Sequence, residues 1–179
     1  MILLEFNDVE QENDSRVMLK AFFPEAKIVT SIPEEHKEQP ELFVQVRVIK
    51  QQMTHSENDE CDRLIRIYFH RDASEEHEEY EDERQETASG KKETRNCFKR
   101  MMYDMLSALT GRELPWGTLT GVRPTKIVYG LLEENKSEQE IIDYLKKEYY
   151  VSTRKGKLAI KVAENEKRLL EKIDYNNGY

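Results

Sequence analysis

The sequence predicts an α+β fold: a small, mostly antiparallel sheet with one helix, in the order β-α-β-β-β, followed by a bundle of about four helices. Three observations point there. The first 70 residues hold four short runs rich in aliphatic and β-branched residues, and one stripe at helical spacing lies between the first two. Beyond residue 91 the apolar residues switch to a helical period for the rest of the chain.

Met1 to Phe6 is the first apolar run, and Ala26 to Ile32 the second. Between them Val17, Met18, Ala21 and Phe22 recur at helical spacing, and Pro24 ends that helix because it fixes φ and lacks an N–H. Leu42 to Ile49 alternates after its first residues, and Leu64 to Phe69 is a further strand. Residues 72–86 carry nine acids and one arginine, a self-repelling run with little to bury. It reads as a flexible acidic linker over 72–90, between an α+β subdomain at 1–71 and a helical subdomain at 91–179. Its carboxylates with His70 and His77 fix no ligand geometry for a metal.

The helical part opens with Phe98, Met101, Met102, Met105, Leu106 and Leu109 on one stripe, stopped by Gly111. Ile127, Val128, Leu131 and Leu132 mark a short second helix. Ser137 to Glu140 is a capping box for a third, with Ile141, Ile142 and Leu145 inward. Ser152 caps a fourth, whose expected inward stripe is Leu158, Ala159, Val162, Ala163, Leu169, Leu170 and Ile173.

Composition narrows the function classes. The 179 residues are 36% charged with a net charge of -8. Residues 1–111 hold 15 basic and 25 acidic side chains, a balance of -10, and residues 112–179 hold 13 and 11, a balance of +2. Phosphate backbones need a cationic surface, so nucleic acid is not an expected partner. No apolar run reaches the 18 or so residues of a membrane helix, and no cationic segment with an apolar stretch opens the chain, so a cytoplasmic protein without a membrane partner is expected. Cys61 and Cys97 have 35 residues between them, too few cysteines for a disulfide framework or a zinc site, and they read as reduced thiols.

One segment stands out. Residues 111–126 hold the only tryptophan, three of the seven glycines and two of the five prolines. Pro124 suits the first turn of the helix that follows. Trp116 needs a pocket for its ring and a partner for its N–H. Arg123 and Lys126 lie at a helix start, where backbone N–H groups already favour anions. Three readings fit these residues: a receptor for carboxylate or phosphate, a rigid docking surface, or an ordered joint between two helices.

The run Leu114-Pro115-Trp116-Gly117-Thr118-Leu119-Thr120-Gly121-Val122-Arg123-Pro124-Thr125-Lys126 resembles the hallmark segment of HemZ-type proteins. These are a subgroup of the oxygen-independent coproporphyrinogen III oxidase family. The flanks agree: Lys99-Arg100 with Tyr103 and Leu106 before it, then Tyr150-Val151-Ser152, Lys155 and Leu158 after it. The resemblance covers residues 96–173 strongly and residues 1–95 only in general character.

What the resemblance implies is a radical S-adenosylmethionine enzyme. A [4Fe–4S] cluster on a Cys-x-x-x-Cys-x-x-Cys triplet opens a route to oxidative decarboxylation of two propionates, giving protoporphyrinogen IX. This chain has no such triplet, and the resemblance places it soon after Tyr179, where a catalytic barrel would begin. No catalytic, cluster or cofactor residue is therefore assigned here, and the chain alone is expected to be inactive. Its expected partners are that barrel and the tetrapyrrole, with Trp116, Thr120, Arg123 and Lys126 as substrate-binding or interdomain residues. A stand-alone adaptor or nucleic-acid-binding module is the alternative.

Overall fold

The structure is a computed structural model that describes residues 1–32, 39–50, 62–74, 77–120 and 123–171. Its elements run β1 (Ile2–Phe6), α1 (Val9–Phe22), β2 (Ile28–Val29), β3 (Leu42–Lys50), β4 (Asp62–Arg71), β5 (Tyr80–Ser89), α2 (Lys91–Thr110), α3 (Pro124–Glu133), α4 (Glu138–Tyr149) and α5 (Thr153–Glu171). The α+β class is as the sequence predicts. The chain divides into two compact units, residues 1–113 and 114–179.

In the first unit five strands form one sheet in the order β2-β1-β3-β4-β5. The long β3–β4 and β4–β5 ladders are antiparallel, while β1 pairs in parallel with both β2 and β3. Alternation decides the faces. Leu42, Val44 and Val46 of β3 and Ile65, Ile67 and Phe69 of β4 are buried, in a core with Met18, Leu19 and Phe22 of α1 and Phe98, Met102 and Met105 of α2. Phe22 and Tyr103 meet edge to face at 5.5 Å. Asp8 caps α1 by accepting from the Glu10 N–H. Asp14 of α1, buried, ties the two helices together. It accepts from Arg95 Nε at 2.5 Å and Nη2 at 2.8 Å, with Lys99 Nζ at 3.2 Å.

Two sequence expectations change here. The acidic stretch is no linker through its second half, because Tyr80–Ser89 pairs with β4 along its whole length as β5. The pairing comes from backbone groups, indifferent to side-chain charge, and on an edge strand charges are tolerated and guard against edge-to-edge association. Cross-strand partners help: Arg66 lies 3.3 Å from Glu83, and the Tyr68 hydroxyl donates to Glu81 at 3.0 Å. Helix α2, expected in the helical part, packs instead against α1, β4 and β5. A five-stranded sheet has more apolar face than the 14-residue α1 covers, and the broad stripe of α2 supplies the rest.

The second unit is a three-helix cluster. Val128, Ile141, Ile142, Leu145, Val151, Ala159, Ile160 and Ala163 form its core, joined by Leu119. Ser137 and Glu140 make the expected capping box on α4, and the Lys155 N–H donates to Ser152 Oγ at 3.4 Å at the start of α5. The α5 stripe is met in part. Ala159 and Ala163 face inward as expected, joined by Ile160, whereas Leu158 (47% exposed), Val162 (37%) and Leu169 (62%) look out. Small residues decide this: Gly156, Ala159 and Ala163 let α5 approach its neighbours, with Gly156 set against Ile142 and Leu145. The Leu170 side chain and Ile173 lie outside the described residues.

Candidate functional site

The loop that leads into α3 is fixed by its own backbone. The Gly117 N–H donates to the Leu114 carbonyl at 2.8 Å, the Leu119 N–H to that of Trp116 at 3.1 Å, and the Thr120 N–H to that of Thr118 at 2.9 Å. Two further bonds tie it to the junction between α4 and α5. The Thr118 N–H donates to the Tyr149 carbonyl at 2.8 Å, and the Ser152 N–H donates to the Pro115 carbonyl at 3.1 Å. Tyr150 makes that junction turn by adopting φ 58°, a left-handed conformation unusual outside glycine.

Gly117 lies against this junction. Its φ is 55°, and a Cβ there would run into the Tyr149 carbonyl oxygen and come within 2.6 Å of the Tyr150 carbonyl carbon. Close backbone approach and positive φ each call for glycine, and here they coincide.

The four candidate residues do not converge on one point. Trp116 is half-buried against the helical core, and Lys155 Nζ stands 5.2 Å from the centre of its ring, a cation–π contact. The Thr120 hydroxyl oxygen is buried without a hydrogen-bond partner. Arg123 sits at the N-cap of α3 with its side chain 83% exposed, 3.8 Å from Glu166 of α5. Lys126 is exposed one turn later, and Pro124 occupies the first helical turn as expected. Arg123 gives α3 no side-chain cap, but Pro124 has no N–H and the Lys126 N–H donates to the Arg123 carbonyl at 3.1 Å, so little donor character is left in this first turn. Sequence reasoning singled out the tryptophan and the two cations but missed the contacts with Lys155 and Glu166, which only folding brings near.

The cysteines do not fit the cluster that the family resemblance implies. Cys97 is buried, with its Sγ donating to Glu86 Oε2 at 3.1 Å. Burial, reinforced by that hydrogen bond and the carboxylate charge, pushes the thiol up to about 12, far from the thiolate that iron needs. Cys61 lies outside the described residues. Among the described residues, no group of three or more His, Cys, Asp or Glu is placed to hold a metal ion, and no helix is long and apolar enough to cross a membrane.

Over 75 residues, 42% of its length, the chain is 31% identical to the oxygen-independent coproporphyrinogen-III oxidase-like protein HemZ of Bacillus subtilis (strain 168). The matched stretch spans 15% of that protein. No protein-family model matches the chain. No solved structure matches it.

Proposed function

We propose that this chain is a non-catalytic N-terminal domain of an oxygen-independent coproporphyrinogen III oxidase-like enzyme of cytoplasmic porphyrin and haem biosynthesis. In the full-length enzyme the radical S-adenosylmethionine chemistry, with its [4Fe–4S] cluster, belongs to a barrel outside this chain. The second unit packs against that barrel through residues 114–126 and orients it. Neither nucleic acid nor membrane enters this reading.

The observation that carries the proposal is a loop locked into its own unit by backbone bonds, while Arg123 and Lys126 stay on the surface. A rigid backbone that displays cationic side chains is preorganised for a partner, because little further ordering is needed on contact. The outward row Leu158, Val162 and Leu169 adds apolar surface. Along α5 it alternates at three- and four-residue steps with Lys155 and Glu166, the residues that touch Trp116 and Arg123. The partial likeness to the HemZ protein supports the choice of enzyme.

In a sharper form of the reading, Arg123 and Lys126 meet propionate carboxylates of the tetrapyrrole through their charged side chains. Arg123→Ala in the full-length enzyme separates the two forms. A substrate requirement raised about tenfold or more with unchanged yield of folded protein supports carboxylate contact, by the loss of one charge-assisted pair. A lowered yield or a loosened barrel, with the substrate requirement unmoved, supports docking alone. If neither changes, the loop has no part in the enzyme and the proposal fails.

A further inference from the structure

The first unit holds a cleft of about 450 Å³ at one end of its sheet, a volume suited to a small molecule. Its walls come from the ends of β3 and β4 and from the first turns of α1 and α2. Lys50 and Arg63 both line it, and they are direct cross-strand partners. Two residues further along each strand lie Val48 and Ile65, also a cross-strand pair, and Ile65 is fully buried. By the two-residue alternation of strands, Lys50 and Arg63 therefore stand on the helix-covered side of the sheet. Like charges placed directly opposite each other in a ladder are unfavourable, and the half-buried Arg63 is less screened by solvent than the exposed Lys50.

The acids of the cleft do not relieve it. Asp8 is used in capping α1, accepting from the Glu10 N–H at 3.0 Å. Glu10 pairs with Lys91 at 2.5 Å, and Asp14 with Arg95 and Lys99. Among the described residues, no carboxylate pairs with Lys50 or Arg63. The amino end of α2, a 20-residue helix, borders the same cleft through Lys91 and Thr94, and its N-cap is Gly90, which has no side chain to accept from the first-turn N–H groups. On the opposite wall Gln11 Oε1 is buried with no donor. A native fold seldom leaves such an acceptor without a reason.

We propose that this cleft binds a small molecule bearing a carboxylate or phosphate, held by Lys50, Arg63 and the amino end of α2, with a hydrogen-bond donor that meets Gln11 Oε1. The site lies wholly within residues 1–113 and includes no residue of the loop at 114–126.

The test is a titration of the isotope-labelled whole chain, followed by backbone and side-chain amide resonances, with inorganic phosphate and with succinate in separate arms at constant ionic strength. The expected result is a saturable shift of the Lys91–Arg95 amides in at least one arm, and the stronger arm names the anionic group. Lys50→Gln and Arg63→Gln each weaken that saturation about tenfold, the loss of one charge-assisted contact. Because Lys50 is exposed and Arg63 half-buried, both variants keep the dispersed spectrum of the folded chain. Lys50→Glu gives Arg63 a carboxylate partner, so it raises the melting midpoint while it abolishes anion binding. Shifts that never saturate, equal shifts at the exposed Lys157 and Lys161, or glutamine variants that bind like the original chain would each overturn the proposal.

Discussion

At Gly117 the loop depends on the absence of a single methyl group. Gly117→Ala would combine a positive φ with a clash against the Tyr149 carbonyl, backbone that cannot yield like the end of a side chain. The expected cost is about 3 kcal/mol or more, read as a lower melting midpoint of the second unit, since strain and overlap add. Asp14 makes the matching case in the first unit. Burial raises its pKa, but the hydrogen bond from Arg95 and the charge of Lys99 outweigh burial and hold it below the ordinary carboxylate value. A depressed folded pKa means that the stabilisation is present above the unfolded value, near 4, and is lost as pH falls through the folded one. Asp14→Asn is therefore expected to cost about 3 kcal/mol at neutral pH and to flatten the acid limb of a stability profile followed by denaturant unfolding. If the variant keeps the same acid slope, other carboxylates carry it. Neither role could be read in full from the sequence. The glycine, proline and tryptophan of residues 114–126 announced an ordered loop, but the carbonyl that requires Gly117 belongs to residue 149. Nothing local to Asp14 sets it apart from other acids, because its partner Arg95 lies 81 positions away and meets it only on folding.

Elements were legible where local chemistry decides them and illegible where pairing does. The end of α1 before Pro24, the capping box of α4 and Pro124 at the start of α3 all follow from spacing and terminal residues, and all stand where the sequence places them. β5 was hidden because its composition argues for solvent, and only a complete partner strand makes Tyr80–Ser89 a strand. The face of α5 was legible in part: Ala159 and Ala163 face inward as the stripe expects, while Leu158 and Val162 do not. Periodicity weighs Leu158 and Val162 as larger apolar residues than Ala159 and Ala163, whereas close helix approach selects the small ones. The difference has a measurable consequence. Ile160→Ala is expected to cost about 2–4 kcal/mol by opening a cavity in a closed core. Leu158→Ser, at a position 47% exposed, should stay within about 1 kcal/mol in the isolated chain. Urea unfolding of both variants settles the orientation, and the reverse ranking would mean that the sequence stripe was right.

For the whole molecule, the contact pattern gives each unit its own core, and the charge follows the same division. Residues 1–113 carry 16 basic and 26 acidic side chains, while residues 114–179 carry 12 and 10. The first unit thus opposes its own folding by repulsion of ten net negative charges, which salt screens and mild acid relieves, until acidification reaches the Asp14 pairs. The second is near neutral and has no such term. Two cores with different electrostatics need not unfold as one transition, and two-state behaviour is not the expectation for such a chain. Calorimetry of the chain as it stands should resolve two transitions, of which only one moves upward when salt is raised from low to physiological ionic strength. Asp14→Asn should lower that same transition, and Ile160→Ala should lower the other. A single transition that both substitutions shift alike would show the division to be geometric only, with the two cores folding as one cooperative body.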